Sequence, residues 1–238
     1  MQRRTTTTAD ARARLHRVVL EAPFAGLLSE AERARIAIGL RLQPVAAGEH
    51  VAFKGDAAAH WVVVVEGLLK VEARSPDGRR TTLVGITRAG WLGESALLGD
   101  GRWPFDVIAT RAGEIGLLPR AVFDALLATS LAFNRVLLGQ LNARLRQFAQ
   151  RCEYDRLHHT REHVVHCLAE LFDPWLCPGT GAHLALSQDE VANLAGVSRP
   201  TANRALHELE SMGLLSVGYG QITVHDPQAL QRLAALQH

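Results

Sequence analysis

Residues 186–215 read LSQDEVANLAGVSRPTANRALHELESMGLL, and this stretch decides the fold. Ser187 stands three residues before Glu190, a capping-box spacing that opens a helix at Gln188. Ala192 and Gly196 lie four apart. A small residue at the first position lets two helices cross closely, and glycine at the second permits a left-handed turn between them. Val197 inserts under that turn. Ser198 caps a second helix, from Arg199 to about Ser211, with Ala202, Ala205, Leu206 and Leu209 on its inner face. Arg199, Pro200, Asn203, Arg204 and His207 are left outward, with Thr201 in the first turn. The next segment, LLSVGYGQITVHDP, gives two short strands around Gly218-Tyr219-Gly220. Helix, turn, helix and hairpin in this order make a winged helix–turn–helix.

The polar side of the second helix suits DNA. Its N-terminus offers unpaired backbone N–H groups and a positive dipole end to phosphate. Arg204 fits a two-donor contact to guanine, and Asn203 a paired contact to adenine. Ser198, Arg199 and Thr201 fit phosphate contact, which positions without specifying. Ser187 and Gln188 at the start of the first helix complete the expected DNA-facing set. The alternative is a helical hairpin that docks a protein partner. Charge favours that alternative: residues 151–238 hold six arginines, no lysine and ten carboxylates, a net −4. The sum ignores where charges lie, and eight of the eleven histidines fall in this half.

Upstream, Ser130 caps a helix running to about Leu157. Its apolar residues fall in two heptad registers, Leu131, Leu138, Leu145 and Cys152 in one, Leu141 and Phe148 in the other. So narrow a seam on so long a helix predicts pairing with a second copy. From Arg41 to Leu118 short β-rich runs alternate with glycine-bearing turns such as Lys54-Gly55-Asp56 and Ser75-Pro76-Asp77-Gly78. That texture predicts an antiparallel sandwich or barrel, a closed roll whose hollow interior suits a small ligand. Ser29 and Glu32 repeat the capping-box spacing before a helix to Leu40, and a short helix is expected over Ala11–Leu20.

With 238 residues and 47% hydrophobic content, the chain has room for two modest domains. No apolar run reaches the roughly 18–20 residues of a membrane helix, so no membrane partner is expected and the protein is placed in the cytoplasm. Cys152, Cys167 and Cys177 form no CxxC pair, against a disulfide framework or an iron–sulfur cluster. No base–nucleophile pair, phosphate loop or metal-hydrolase pattern is present, so no catalytic residue is assigned.

LSQDEVANLAGVSRPTANRALHELESMGLL resembles the DNA-binding motif of the Crp/Fnr transcription regulators, and GWLGESALL, Gly90–Leu98, resembles their ligand-pocket segment. The resemblance spans nearly the whole chain in the right order. It implies an α+β protein in four parts: an arm and short helix (1–22), an effector-sensing antiparallel β-roll (23–129), a dimerisation helix (130–158) and a winged helix–turn–helix (159–238). It also implies a homodimer that binds two-fold symmetric operators, answers a small effector and works with RNA polymerase. Arg199, Thr201 and Arg204 match the family's SRxTxxR pattern. Pro200 departs from it, where many members carry a base-reading glutamate. The rival function is a ligand-binding or scaffolding protein whose C-terminal helices bind a protein.

The family's pocket implies Gly93, Glu94, Ser95 and Ala96 as effector contacts, with Arg102, Trp103 and Phe105 nearby. In cyclic-nucleotide binders an Arg-Ser/Thr pair about ten residues after the glutamate neutralises the phosphate. Here Pro104-Phe105 stands there, and Arg102 comes two residues early. A buried phosphate without its arginine is costly, which argues against cyclic AMP and leaves the effector unidentified. Haem is disfavoured too, since His50 and His60 are its only candidate ligands in the roll. His159, His163, His166 and Cys167 lie on one helical face and suggest a metal site, but a solvated polar stripe opposite the Val164, Val165, Leu168 core face is the preferred reading. No metal is assigned.

Overall fold

The structure is a computed structural model that describes residues 8–157 and 162–236. Helix α1 (Thr8–Glu21) and a 3-10 turn (Ala25–Leu27) lead to α2 (Glu30–Gly39). The capping box before α2 forms as expected: the Glu32 N–H donates to Ser29 Oγ, and the Ser29 N–H donates to Glu32 Oε2. Eight strands follow: β1 (Arg41–Val45), β2 (His50–Ala52), β3 (His60–Glu66), β4 (Leu69–Arg74), β5 (Arg80–Ile86), β6 (Trp91–Leu92), β7 (Asp106–Ala109) and β8 (Gly113–Pro119). They form two four-stranded antiparallel sheets, ordered β1-β8-β3-β6 and β2-β7-β4-β5. Consecutive strands alternate between the two layers in much of the roll, so glycine-bearing turns recur between short runs.

A short helix, α3 (Glu94–Leu98), sits between β6 and β7. After the roll come α4 (Arg120–Thr129) and the 27-residue α5 (Leu131–Leu157). Ser130 caps α5 by accepting the Phe133 N–H at 2.9 Å, and its hydroxyl also bonds Glu32, so the starts of α2 and α5 are tied together. The roll core centres on stacked and edge-on rings: Phe24, Trp61, Trp91, Phe123 and Phe133 lie 4.2–5.8 Å apart by centroid. Phe133 brings α5 into this cluster.

The C-terminal part is α6 (Glu162–Glu170), β9 (His183–Leu184), α7 (Gln188–Ala195), α8 (Arg199–Ser211), β10 (Leu215–Gly218), β11 (Gln221–Val224) and α9 (Pro227–Leu236). Strand β9 joins the expected hairpin to make a three-stranded wing, β10-β11-β9. Helix α9 is an addition to the sequence expectation. Asp226 accepts the Ala229 N–H, and Leu230 and Ala234 are buried in the same core as α6 to α8. The segment between α6 and β9, DPWLCPGTGAH, is packed: Leu176 and Cys177 are buried against Ala143 of α5.

Truncating Phe133 removes the only α5 ring in the aromatic cluster. Phe133→Ala should cost about 3–5 kcal/mol in urea unfolding followed by tryptophan fluorescence, with Ile38→Ala, at an exposed position of α2, changing little by comparison.

Candidate nucleic-acid interface and sensor cavity

The helix–turn–helix forms from the predicted residues. The Ser187 N–H donates to Glu190 Oε2 at 2.6 Å, and the Glu190 N–H returns to Ser187 Oγ at 3.2 Å. Gly196 is left-handed, φ 66°, and its neighbour Val197 packs half-buried on the core. Ser198 Oγ accepts the Thr201 N–H and shares a hydrogen bond with the Thr201 hydroxyl at 2.9 Å. Ala202, Ala205, Leu206 and Leu209 are buried, as their spacing requires. Arg199, Pro200, Arg204 and His207 are exposed, Thr201 and Asn203 half-buried. This side of α8 is therefore open at Arg199, Pro200, Arg204 and His207, while the Asn203 amide oxygen is buried without a hydrogen-bond partner.

Two acidic groups organise the outer face. Arg199 pairs with Asp189 of α7 at 3.1 Å, both well exposed, so the pair is weak and exchangeable. Glu210 accepts the Val217 N–H at 2.9 Å, which joins α8 to the wing and holds its carboxyl below the usual range. The wing turn is Tyr219-Gly220, with Tyr219 fully exposed at its tip. Gln188 and Ser187 are half-buried, and Ser187 serves the cap of α7.

The second site is a cavity of about 110 Å³ in the roll. Gly93, Glu94, Ser95, Trp103 and Phe105 line it, with Val71, Val84, Leu92, Pro104 and Val107. Gly93 is left-handed, φ 103°, and Trp103 presses on it: a Cβ there would meet the indole at 2.9 Å. Glu94 is buried. Its Oε2 accepts Trp61 Nε1–H at 3.2 Å, and its Oε1 faces Arg144 Nε of α5 at 3.7 Å. Arg144 was not among the sequence-predicted residues. Its only signal is a charged residue among the inward positions of α5.

Two expected contacts fall outside the cavity. Ala96 is buried in the core beneath α3. Arg102 is exposed and donates to the Gly55 carbonyl at 2.7 Å, because an Asp100 cap on its own N–H turns the loop outward. The two registers of α5 also separate. Leu131, Leu138 and Leu145 are 67–68% exposed and Cys152 is exposed, a row at seven-residue spacing. Leu141 is half-buried and Phe148 is 37% exposed, and both also line the cavity.

The histidine face of α6 is corrected as well. His166 and Cys167 are buried and His163 is half-buried, because this face closes on α5 and β5 across a second cavity of about 260 Å³. Burial pushes the Cys167 thiol up to about 12. His159 lies outside the described residues. Among the described residues, no group of three or more His, Cys, Asp or Glu is placed to hold a metal ion.

Helix α7 is held against the roll. Arg111, from the β7–β8 turn, donates to both Glu190 oxygens at 2.9 and 3.1 Å. Arg151 of α5 bonds the Leu83 carbonyl of β5, the Leu194 carbonyl at 3.0 Å and Glu170 of α6 at 3.3 Å. Roll, long helix and helix–turn–helix therefore meet at one guanidinium.

A β-roll with an apolar pocket open on one side, a long helix that walls it, and a winged helix–turn–helix with an open polar face define a DNA-binding transcription regulator. Residues 42–130 match the cyclic nucleotide-binding domain, and residues 162–233 the Crp-like helix–turn–helix domain. The chain is 27% identical over 187 residues to a cyclic AMP receptor protein of Thermus thermophilus, covering 79% of this chain and 85% of the relative. It is 26% identical over 218 residues to a CRP-like cAMP-activated global transcriptional regulator of Mycobacterium tuberculosis, covering 88% and 96%. FixK2 from Bradyrhizobium japonicum shares the fold, with TM-score 0.68 at 20% identity over 82% of this chain and 96% of that one. The chain belongs to the Crp/Fnr family of transcription regulators.

Glu190 links the cap of α7 to the roll. Burial pushes its carboxyl up, but the bonds from Ser187 and Arg111 outweigh that and hold it below the ordinary 4.5. A lowered folded value means the contribution is complete above the unfolded value and lost as pH falls through the folded one. The protection of the α7 amides, taken relative to the intrinsic exchange rate at each pH, should therefore fall as pH drops below 4.5. In Glu190→Gln, exchange should already be faster at neutral pH, and the dependence over that interval should flatten.

Proposed function

We propose that the protein is a homodimeric, effector-controlled regulator that acts in the cytoplasm on two-fold symmetric operators and contacts RNA polymerase. The observation that carries this reading is the division of α5. One face lines the sensor cavity through Leu141, Arg144 and Phe148, and another exposes Leu131, Leu138 and Leu145 at heptad spacing. An exposed leucine row on an otherwise packed helix is what a partner helix covers. A ligand that moves the cavity wall then moves the dimer seam, and the seam sets the separation of the two α8 helices.

Arg204 and Asn203 read bases, while Ser198, Arg199 and Thr201 hold phosphate, with Ser187 and Gln188 beside the backbone at the start of α7. Pro200 has no donor or acceptor in its side chain, so the preferred half-site differs from those read by a glutamate at this position. The segment parts are a sensor over 23–129, a dimer helix over 130–158 and a DNA-binding domain over 159–238, preceded by the arm and short helix over 1–22. The rival, a helical domain that docks a protein, predicts no counterion release on adding DNA.

Two measurements test the reading. Selection of bound sites from random duplexes should return a two-fold sequence for the native chain, and Arg204→Ala should lose about 1–3 kcal/mol of discrimination at one base pair. Arg199→Ala should instead weaken all sites together and reduce the salt slope by about one. In sedimentation, the Leu138→Glu/Leu145→Glu double variant should run as a monomer with a folded roll. A native chain that shows neither salt-dependent DNA binding nor a dimer overturns the proposal.

A further inference from the structure

The cavity of the roll does not fit a cyclic nucleotide. Clefts for drug-sized ligands measure roughly 300–1,000 Å³, and this one measures about 110 Å³. The arginine nearest in sequence to its loop, Arg102, is turned away onto the Gly55 carbonyl. Trp103 and Phe105 occupy the wall instead.

The dimensions and charges point elsewhere. A dry apolar cavity of roughly 150 Å³ holds one benzene ring. Here the walls are Val71, Val84, Leu92 and Val107, with the rings of Trp103 and Phe105. The charged groups at the wall are Glu94 and Arg144, of opposite sign and paired. Arg144 is further held by the Trp91 carbonyl at 3.0 Å and Gln147 Oε1 at 3.2 Å. An anion placed here meets the Glu94 carboxylate, and a cation meets Arg144; both lose hydration without a free counter-charge. A neutral ligand escapes both costs. Glu94 Oε1 stands 3.7 Å from Arg144 Nε, longer than a hydrogen bond, so a lone pair remains for one donor.

We propose that this cavity binds an uncharged, single-ring aromatic ligand of the phenol class, its ring among Trp103, Phe105 and Phe148 and its O–H donated to Glu94. A phenol stays neutral at physiological pH because its pKa is about 10. Its ring would touch α5 directly, through Phe148 and Leu141, so occupancy acts on the helix that carries the leucine row. The proposal rests on the roll being the sensor, but it does not depend on DNA contact.

The test uses the full chain without DNA. Titration with phenol, benzoate and cyclic AMP is followed by calorimetry and tryptophan fluorescence. Phenol should bind saturably, and benzoate, an anion of similar size, at least about tenfold more weakly, as expected for losing a hydrogen bond to a charged group. Glu94→Gln leaves Arg144 unneutralised, so the order should reverse, with benzoate then preferred. A carboxylate serving only as a structural cap would not produce that reversal. Val71→Phe, which fills the cavity from an edge of its lining, should abolish phenol binding while circular dichroism stays native. Saturable cyclic AMP binding without phenol binding, equal affinity for phenol and benzoate, or no binding of any probe by the native chain would each overturn the proposal. These results are read separately from operator affinity, so they leave the DNA-binding assignment to its own tests.

Discussion

The Trp91 carbonyl accepts two side chains from one helix. Gln140 Nε2 and Arg144 Nη2 both donate to it at 3.0 Å, from positions one turn apart on α5. Trp91 lies two residues before Gly93, where the chain turns left-handed into α3 and delivers Glu94 to the cavity. This contact fixes the long helix to the loop that shapes the ligand space. Both donors are largely buried, and a buried carbonyl deprived of them would leave polar groups unpaired, so the arrangement resists partial rupture. It changes as a unit or not at all. In the proposed mechanism that property lets α5 act as a lever, so that displacement of the cavity wall is not absorbed locally.

The same helix carries the force onward. One turn from Gln147, Arg151 reaches the roll at β5, the end of α7 and the buried Glu170 of α6. Burial pushes the Glu170 carboxyl up, and Arg151 opposes that push. Such a pair contributes little net stability but makes breakage costly, which suits an element with two discrete arrangements. Arg111 adds a second tether, on a residue that already caps α7. The helix–turn–helix is therefore oriented by its own sensor rather than suspended from a linker. Leu68 of the roll even joins the core of the C-terminal helices.

Elements governed by local rules were legible in the sequence. Both capping boxes, the turn at Gly196, the inner face of α8 and the wing hairpin follow from spacing alone, because each is decided by bonds within a few residues. Helix α9 carries the same type of signal, Asp226 before Pro227 with Leu230 and Ala234 behind. The failures lie where a distant element decides. Leu141 and Phe148 look like a second seam until the roll is placed beside them. His166 reads as solvent-facing until α5 and β5 close over it. Arg102 is a cation near a pocket by number, and only the path of its loop shows that it bonds Gly55.

The negative charge of residues 151–238 is the remaining objection to a DNA-binding surface, and the structure shows where that charge goes. Glu170 is buried against Arg151. Glu190 caps α7 and is held by Arg111 of the other half of the chain. Asp173 accepts the N–H groups of Trp175 and Leu176, Asp226 caps α9, and Glu210 anchors the wing. These five carboxylates serve internal bonds, and three of them, Glu170, Glu190 and Asp226, are paired with arginine. Of the rest, Asp189 faces the interface, and it is paired with Arg199 at an exposed position where water screens both. Phosphate, with more charge and a helix N-terminus behind it, competes well for that guanidinium. In the proposed mode of binding, the field a duplex would meet at α8 is set by Arg199, Arg204 and the cap at Ser198. It is not set by the sum over the domain.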